Sequence, residues 1–218
     1  GRLYKQAYTL KIKAALCVRT NLSPDADSLS SPLRMANALV ESGIKIVALT
    51  DLNTSLNAPA FCINCATLPL VPIFGLEAVS AEGYSIFCLF SNLRKAVDFG
   101  SAWYRTLGNI YPKRPQLVVD EAGCIIDSLD TNLLQKSCVE AKRLVRAARM
   151  LGGICFCTDD AVAKELNLPL VNTARILLLD GIRSDSIIEL DIPESFGSTA
   201  EEAFEAVRLA LARYAGLS

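Results

Sequence analysis

Short apolar runs, each closed by turn residues, alternate with helix-spaced patterns along most of this 218-residue chain, and that alternation narrows its fold more than any other feature. Residues 10–18, 44–50, 70–77, 84–90, 154–158 and 170–173 read as strands, short and rich in Ile, Val, Leu and Phe. Pro32–Glu41 reads as a helix, with Met35, Leu39 and Val40 at helical spacing and Gly43 closing it. Residues 58–68 and 161–166 read likewise. Strands alternating with helices argue for parallel βαβ units, hence an α/β domain. Around 116–128 the pattern changes, because two apolar runs flank a polar turn containing Gly123, which is a hairpin signal. A long helix is expected over about 133–151, with Cys138, Ala141, Val145 and Ala148 on one face. A final helix opens with a capping box, Ser198 and Glu201, before Phe204, Val207 and Leu211. No repeat, low-complexity tract or linker divides the sequence, so 1–218 reads as one domain.

Histidine is absent from the whole chain. Its absence excludes a His general base, a Ser-His-Asp or Cys-His nucleophile pair, and any His-ligated metal. Charged residues make up 21% and nearly cancel, and a net charge of −1 leads us to expect no clear nucleic-acid footprint and no attraction to an anionic membrane. No apolar run approaches the ~20 residues that span a bilayer, and no secretory segment opens the sequence. The eight cysteines lie mostly in apolar runs, as free thiols do. Together these point to the cytoplasm. Cys62-Ile63-Asn64-Cys65 sits within an expected helix with no partner motif at zinc-ribbon spacing. Cys155 and Cys157 are expected on opposite faces of a strand. Both pairs read as packing.

Several strand ends, taken in order, resemble the polymerase-and-histidinol-phosphatase (PHP) family of metallophosphoesterases. The family opens with a strand ending D-L-H-x-H-T, and here Ala15-Leu16-Cys17-Val18-Arg19-Thr20 stands in that place, followed by Asn21-Leu22-Ser23-Pro24. Leu49-Thr50-Asp51-Leu52-Asn53 is similar to the family's I-T-D-H-N, and Val71-Pro72-Ile73-Phe74-Gly75-Leu76-Glu77 to its P-G-x-E. A family histidine on the next strand falls on Ser85. The later G-G-x-x-x-x-A-H turn corresponds to 152–159, and the final S-D-A-H element to Ala174-Arg175-Ile176-Leu177. The resemblance covers the chain from about Lys11 to its last helix.

That resemblance implies a distorted seven-stranded β/α (TIM-like) barrel with an inserted hairpin and a site at the C-terminal mouth. In working members, His and carboxylate ligands hold metal ions that polarise a phosphate ester. Here Cys17, Arg19, Leu52, Ser85 and Leu177 replace histidines and Arg175 replaces an aspartate. A guanidinium has no lone pair for a metal. The resemblance therefore implies a degenerate member, catalytically inactive, with a binding or regulatory role. The alternative is a divergent metal-dependent phosphoesterase using the remaining carboxylates. The vestigial site comprises Cys17, Arg19, Asp25, Asp51, Glu77, Ser85, Asp159 and Arg175. Its carboxylates are expected to pair the arginines or accept backbone N–H groups, with no metal or cofactor. Asp51, Glu77 and Asp159 are the fallback ligands for Mg²⁺ or another divalent ion. Arg19 and Arg175 could receive a phosphate-like anion, and a protein partner is the other expectation. A thiol activity at Cys17, its pKa lowered by Arg19, ranks last.

Overall fold

The computed structural model describes residues 9–177 and 182–214. Its centre is a curled six-stranded sheet. Strand β1 (Thr9–Val18), helix α1 (Pro32–Glu41), β2 (Ile44–Leu49), α2 (Ala58–Cys65) and β3 (Val71–Val79) form the parallel βαβ run that the sequence predicts. Ser31 accepts from the Arg34 amide and Pro32 sits at the first helical position, so α1 begins where its chemistry dictates. From β3 onward the pairing turns antiparallel, through β4 (Ser85–Phe90) to β7 (Ile154–Phe156). Between these two strands come α3 (Leu93–Tyr104), the hairpin β5 (Gln116–Val119) and β6 (Ile125–Leu129), and α4 (Ala141–Met150). After β7 follow α5 (Asp160–Leu166), β8 (Ile188–Pro193) and α6 (Ala200–Tyr214). The sheet order is β7-β4-β3-β2-β1-β8, with β8 antiparallel to β1.

Both faces of the sheet are buried. On one, α1 to α4 contribute Met35, Leu39, Phe61, Phe99, Trp103 and Leu144 to a core with Val47 and Phe74. On the other, α6 lays Ala203, Phe204, Val207 and Leu211 against Leu16, Ile46, Ile73 and Phe87. β3 and β4 press together at Gly75, where a Cβ would lie 1.9 Å from the Cys88 carbonyl oxygen, so no other residue fits there. The hairpin stands apart as its own two-stranded sheet, as expected. Val118 and Leu129 anchor it to Leu22, Leu107 and Leu133 in a separate small cluster.

Four expectations need correction. The strand expected at 170–173 is reduced to single parallel bridges, Cys157 to Leu170 and Val18 to Ile176, so the described sheet has six strands. The helix expected from residue 133 begins at Ala141. The preceding segment is irregular and Cys138 is exposed, because Leu133 packs under the hairpin instead of continuing the helical face. The capping box of α6 lies one residue later: Thr199 accepts from the Glu202 amide and Glu202 from the Gly197 amide, while Ser198 takes a left-handed φ of 61°. Cys155 and Cys157 share a face with Cys88, and Phe156 points the other way, since residues two apart on a strand alternate back to the same side. Among the described residues, no helix is long and apolar enough to cross a membrane.

Candidate functional site

The C-terminal ends of β1, β2 and β3 meet at one mouth, and a bulge decides what β1 presents there. Ala15 pairs with Val47 and Val18 with Leu49, so three steps on β1 oppose two on β2. The extra residue shifts the alternation, and Cys17 joins the same apolar cluster as Leu16. Arg19, two residues on, follows Cys17 to that face and reaches across to β3.

Glu77 on β3 is the hub. Arg19 Nη2 donates to its Oε1 at 2.7 Å. Arg175 grips it with a fork, Nε to Oε1 at 2.7 Å and Nη2 to Oε2 at 2.8 Å. The Arg175 guanidinium also lies 5.3 Å from the centre of the Phe87 ring, within cation–π range. Arg19 Nη1 completes the network with a bond to Asp25, whose side chain is 41% exposed. The Arg19 Nε is buried with no hydrogen-bond partner among the described residues. Burial alone would raise the Glu77 pKa. The forked bonds from Arg175 and the charge of Arg19 outweigh it and hold the carboxyl below the usual glutamate range.

Asp51, at the end of β2, belongs to a second network. Its Oδ1 accepts from the Thr20 amide at 2.6 Å and the Ser23 hydroxyl at 2.8 Å, and its Oδ2 from the Thr20 hydroxyl at 2.6 Å. Burial still raises its pKa against these donors and nearby Arg19. Cys17 is buried close to the Glu77 network, and desolvation, helped by Glu77, pushes its thiol up. The expected lowering by Arg19 is real but smaller, so the rationale for a reactive thiol fails.

Two expected members stand apart. Asp159 is an exposed cap: its Oδ1 accepts from the Val162 amide at the start of α5. Ser85 opens β4 opposite Val79, on the Glu77 side of the sheet, with no hydrogen bond to the arginines among the described residues. Leu52 is buried and bridges to Glu77 through its backbone, and Leu177 accepts from the Asp27 amide. Among the described residues, no group of three or more His, Cys, Asp or Glu is placed to hold a metal ion.

Asn53, part of the segment similar to I-T-D-H-N, has a role that the motif does not indicate. It adopts a φ of 56°, and its amide nitrogen donates to the carbonyls of Leu133 and Gln135 at 2.9 and 3.0 Å. Its oxygen accepts from the Val79 amide and the Trp103 indole, both at 2.9 Å. One side chain thus ties β3, α3 and the approach to α4 to the mouth. An Asn four residues past the end of β2 is a recognisable candidate for a left-handed turn residue.

No family model matches the chain, and no curated protein matches its sequence. Three solved structures resemble it in fold. Endonuclease Q, in complex with a 27-mer duplex carrying an abasic lesion at its active site, superposes with a TM-score of 0.58 at 11% identity. That match covers 91% of this chain and 57% of that one. A lesion-specific endonuclease from Pyrococcus furiosus gives 0.46 at 12% identity over 67% of this chain and 34% of that one. A protein described as a metal-dependent phosphoesterase from Bifidobacterium adolescentis gives 0.41 at 11%, covering 66% and 65%. The chain spans from a third to two thirds of these proteins' lengths. The first likeness supports a PHP-type fold and speaks for the fold alone. The expectation of no clear nucleic-acid footprint is corrected on that ground: Endonuclease Q is seen with a duplex whose abasic lesion lies at its active site, so this fold accommodates a nucleic-acid partner. Net charge sums a whole chain and is blind to how charge is distributed over its faces.

Proposed function

We propose that this chain is a degenerate PHP-type protein whose mouth has become an ionic knot, with a binding rather than a hydrolytic role. Nucleic acid is the ligand class placed first. The observation that supports this reading is Glu77, whose two oxygens take three bonds from two guanidiniums. A metal ion would have to displace both arginines from it, and would leave their charges buried beside its own. The Asp51 oxygens are likewise taken, by Thr20 and Ser23, and Asp159 is turned to capping. This donor set does not fit a multinuclear centre. The segment 170–176, bridged to Cys157 on one side and Val18 on the other, fits the place of a seventh barrel stave. We take 1–218 as one domain, and its eight free cysteines suit a reducing compartment such as the cytoplasm.

The test is an assay of phosphodiester hydrolysis with Mg²⁺, Mn²⁺ or Zn²⁺ present, using bis(p-nitrophenyl) phosphate and a nicked or abasic duplex, alongside metal analysis of protein purified without a His tag. No turnover above background and no stoichiometric metal are expected, and zinc should leave the melting temperature unchanged. Metal-dependent turnover abolished by Glu77→Gln would establish the divergent phosphoesterase instead.

A further inference from the structure

α4 breaks two rules of helix electrostatics. Its sequence, Ala-Lys-Arg-Leu-Val-Arg-Ala-Ala-Arg-Met, holds four cations and no acid. Lys142 and Arg143 occupy the first turn, where the helix dipole disfavours positive charge. Lys142, Arg146 and Arg149 follow at i, i+4 and i+7, so like charges neighbour one another along one stripe. All four cations are exposed. Among the described residues, none lies within ion-pairing distance of a carboxylate. Glu82, which accepts from the Ala141 amide, offsets these costs only at the first turn, and the cations beyond it point to an external reason.

The stripe also has a shape. Lys142, Arg146 and Arg149 line a groove of about 570 Å³ between α4 and the end of α5, walled by Val145, Leu166 and Glu165. Three cations face one acid there. The α4 N-terminus is fixed by Glu82, from the β3–β4 turn, whose carboxylate accepts from the Ala141 amide at 2.9 Å. That turn follows the end of β3 that carries Glu77, so the groove starts beside the rim of the mouth and descends the outer wall. From Lys142 to Arg149 the helix rises about 10 Å, which is roughly three steps at the ~3.4 Å axial rise of one nucleic-acid strand.

We propose that this basic groove is a docking site for the sugar–phosphate backbone of duplex nucleic acid, outside the mouth. Arginine forks match phosphate oxygens in two-pronged geometry, and two of the three groove cations are arginines. A membrane surface fits less well, because Met150 is the one large apolar side chain on the exposed face of α4, too little to insert. Backbone contacts position a ligand without reading its sequence, so binding is sequence-independent and strongly salt-dependent. The inference takes its ligand class from the reading above and does not depend on whether the mouth is inactive.

The experiment measures fluorescence anisotropy of a labelled 27-mer duplex against the whole chain over a salt series. Arg146→Glu/Arg149→Glu should weaken binding at least tenfold and lower the slope of log K against log salt by about two. Arg94→Glu, which reverses an exposed cation on α3, should change affinity less than threefold. Circular dichroism and melting of each variant separate lost binding from lost fold. No duplex binding by the wild type at low salt overturns the proposal. Binding lost in Arg175→Ala but kept in the α4 variant overturns the groove and leaves nucleic acid at the mouth. Equal, α4-dependent binding to polyglutamate or to phosphatidylserine vesicles would reassign the surface to an acidic protein or a membrane.

Discussion

At the mouth, Arg19 and Arg175 both bond one buried carboxylate; Arg19 is almost fully buried and Arg175 keeps 30% of its side chain exposed. On the outer face of α4, Lys142, Arg146 and Arg149 stand in water with no carboxylate in ion-pairing range among the described residues. The same chemical group does opposite work in the two places. Inside, its charge is neutralised by partners that the fold supplies, and removing a partner strands a charge in low dielectric. Outside, its charge is unspent and its removal exposes nothing. A site where the protein has satisfied its own charges is built for stability, and a site where it has not is built for something else.

The sharpest way to break this contrast is Glu77→Ala. It leaves two guanidiniums without their acceptor in a buried setting, and about 3–5 kcal/mol of destabilisation is expected, read from urea denaturation. Glu77→Gln should recover part of the loss, because its carbonyl can still accept one bond. A cost under about 1 kcal/mol for the alanine variant would mean that water already solvates the arginines and that the mouth is open.

Acid titration separates the two carboxylates next. The Glu77 pKa lies below its ordinary value, so its contribution is present above about pH 4.5 and is lost as pH falls through the depressed folded value. Asp51 is raised, so its contribution is full at low pH and is lost as pH rises through its folded value. The two oppose each other on acidification. Removing the Asp51 titration with Asp51→Asn should therefore steepen the loss of stability between neutral pH and pH 3, in melting curves followed by circular dichroism. An unchanged acid limb would show that the raised Asp51 pKa does not affect stability.

How much of this was legible depends on how far each feature reaches along the chain. Pro32–Glu41 was readable to the residue because the spacing of Met35, Leu39 and Val40 and the closing Gly43 are local signals. β8 was missed because Ile188–Pro193 is a strand only through its pairing with Thr9–Ala14, some 180 residues away. Residues 133–140 continued a helical period, but Leu133 was taken by a cluster with the hairpin, and Asn53 fixed the carbonyls of Leu133 and Gln135 from 80 residues upstream. At the mouth, the inward aim of Cys17 and Arg19 could be anticipated, whereas the bulge that produces it is a property of the β1–β2 register. The meeting of Arg175 with Glu77 across 98 residues was suggested by the family resemblance, not by any local pattern. Asp159, assigned to the mouth by the resemblance, answers to a local rule as well, capping the helix that follows it.

The smallest expected effect is the one that distinguishes the outer face most cleanly from the mouth. Lys142→Gln removes a cation from the first turn of α4 and one repulsion with Arg146 four residues on. Dipole and neighbour terms act in the same direction, so stability should rise by a few tenths of a kcal/mol. Arg149→Gln is different. Arg149 sits in the last turn, where the dipole favours it, while repulsion with Arg146 opposes it, so the two effects should nearly cancel. The pair of variants thus carries an internal sign: a gain at the N-terminal end and no change at the C-terminal end, measured by urea denaturation at low ionic strength, where surface charge is least screened. A loss above about 1 kcal/mol in Lys142→Gln would show that the lysine stem packs against the groove or that its charge is balanced by Glu82. The outer face would then be satisfied internally, as the mouth is, and the contrast between the two regions would close.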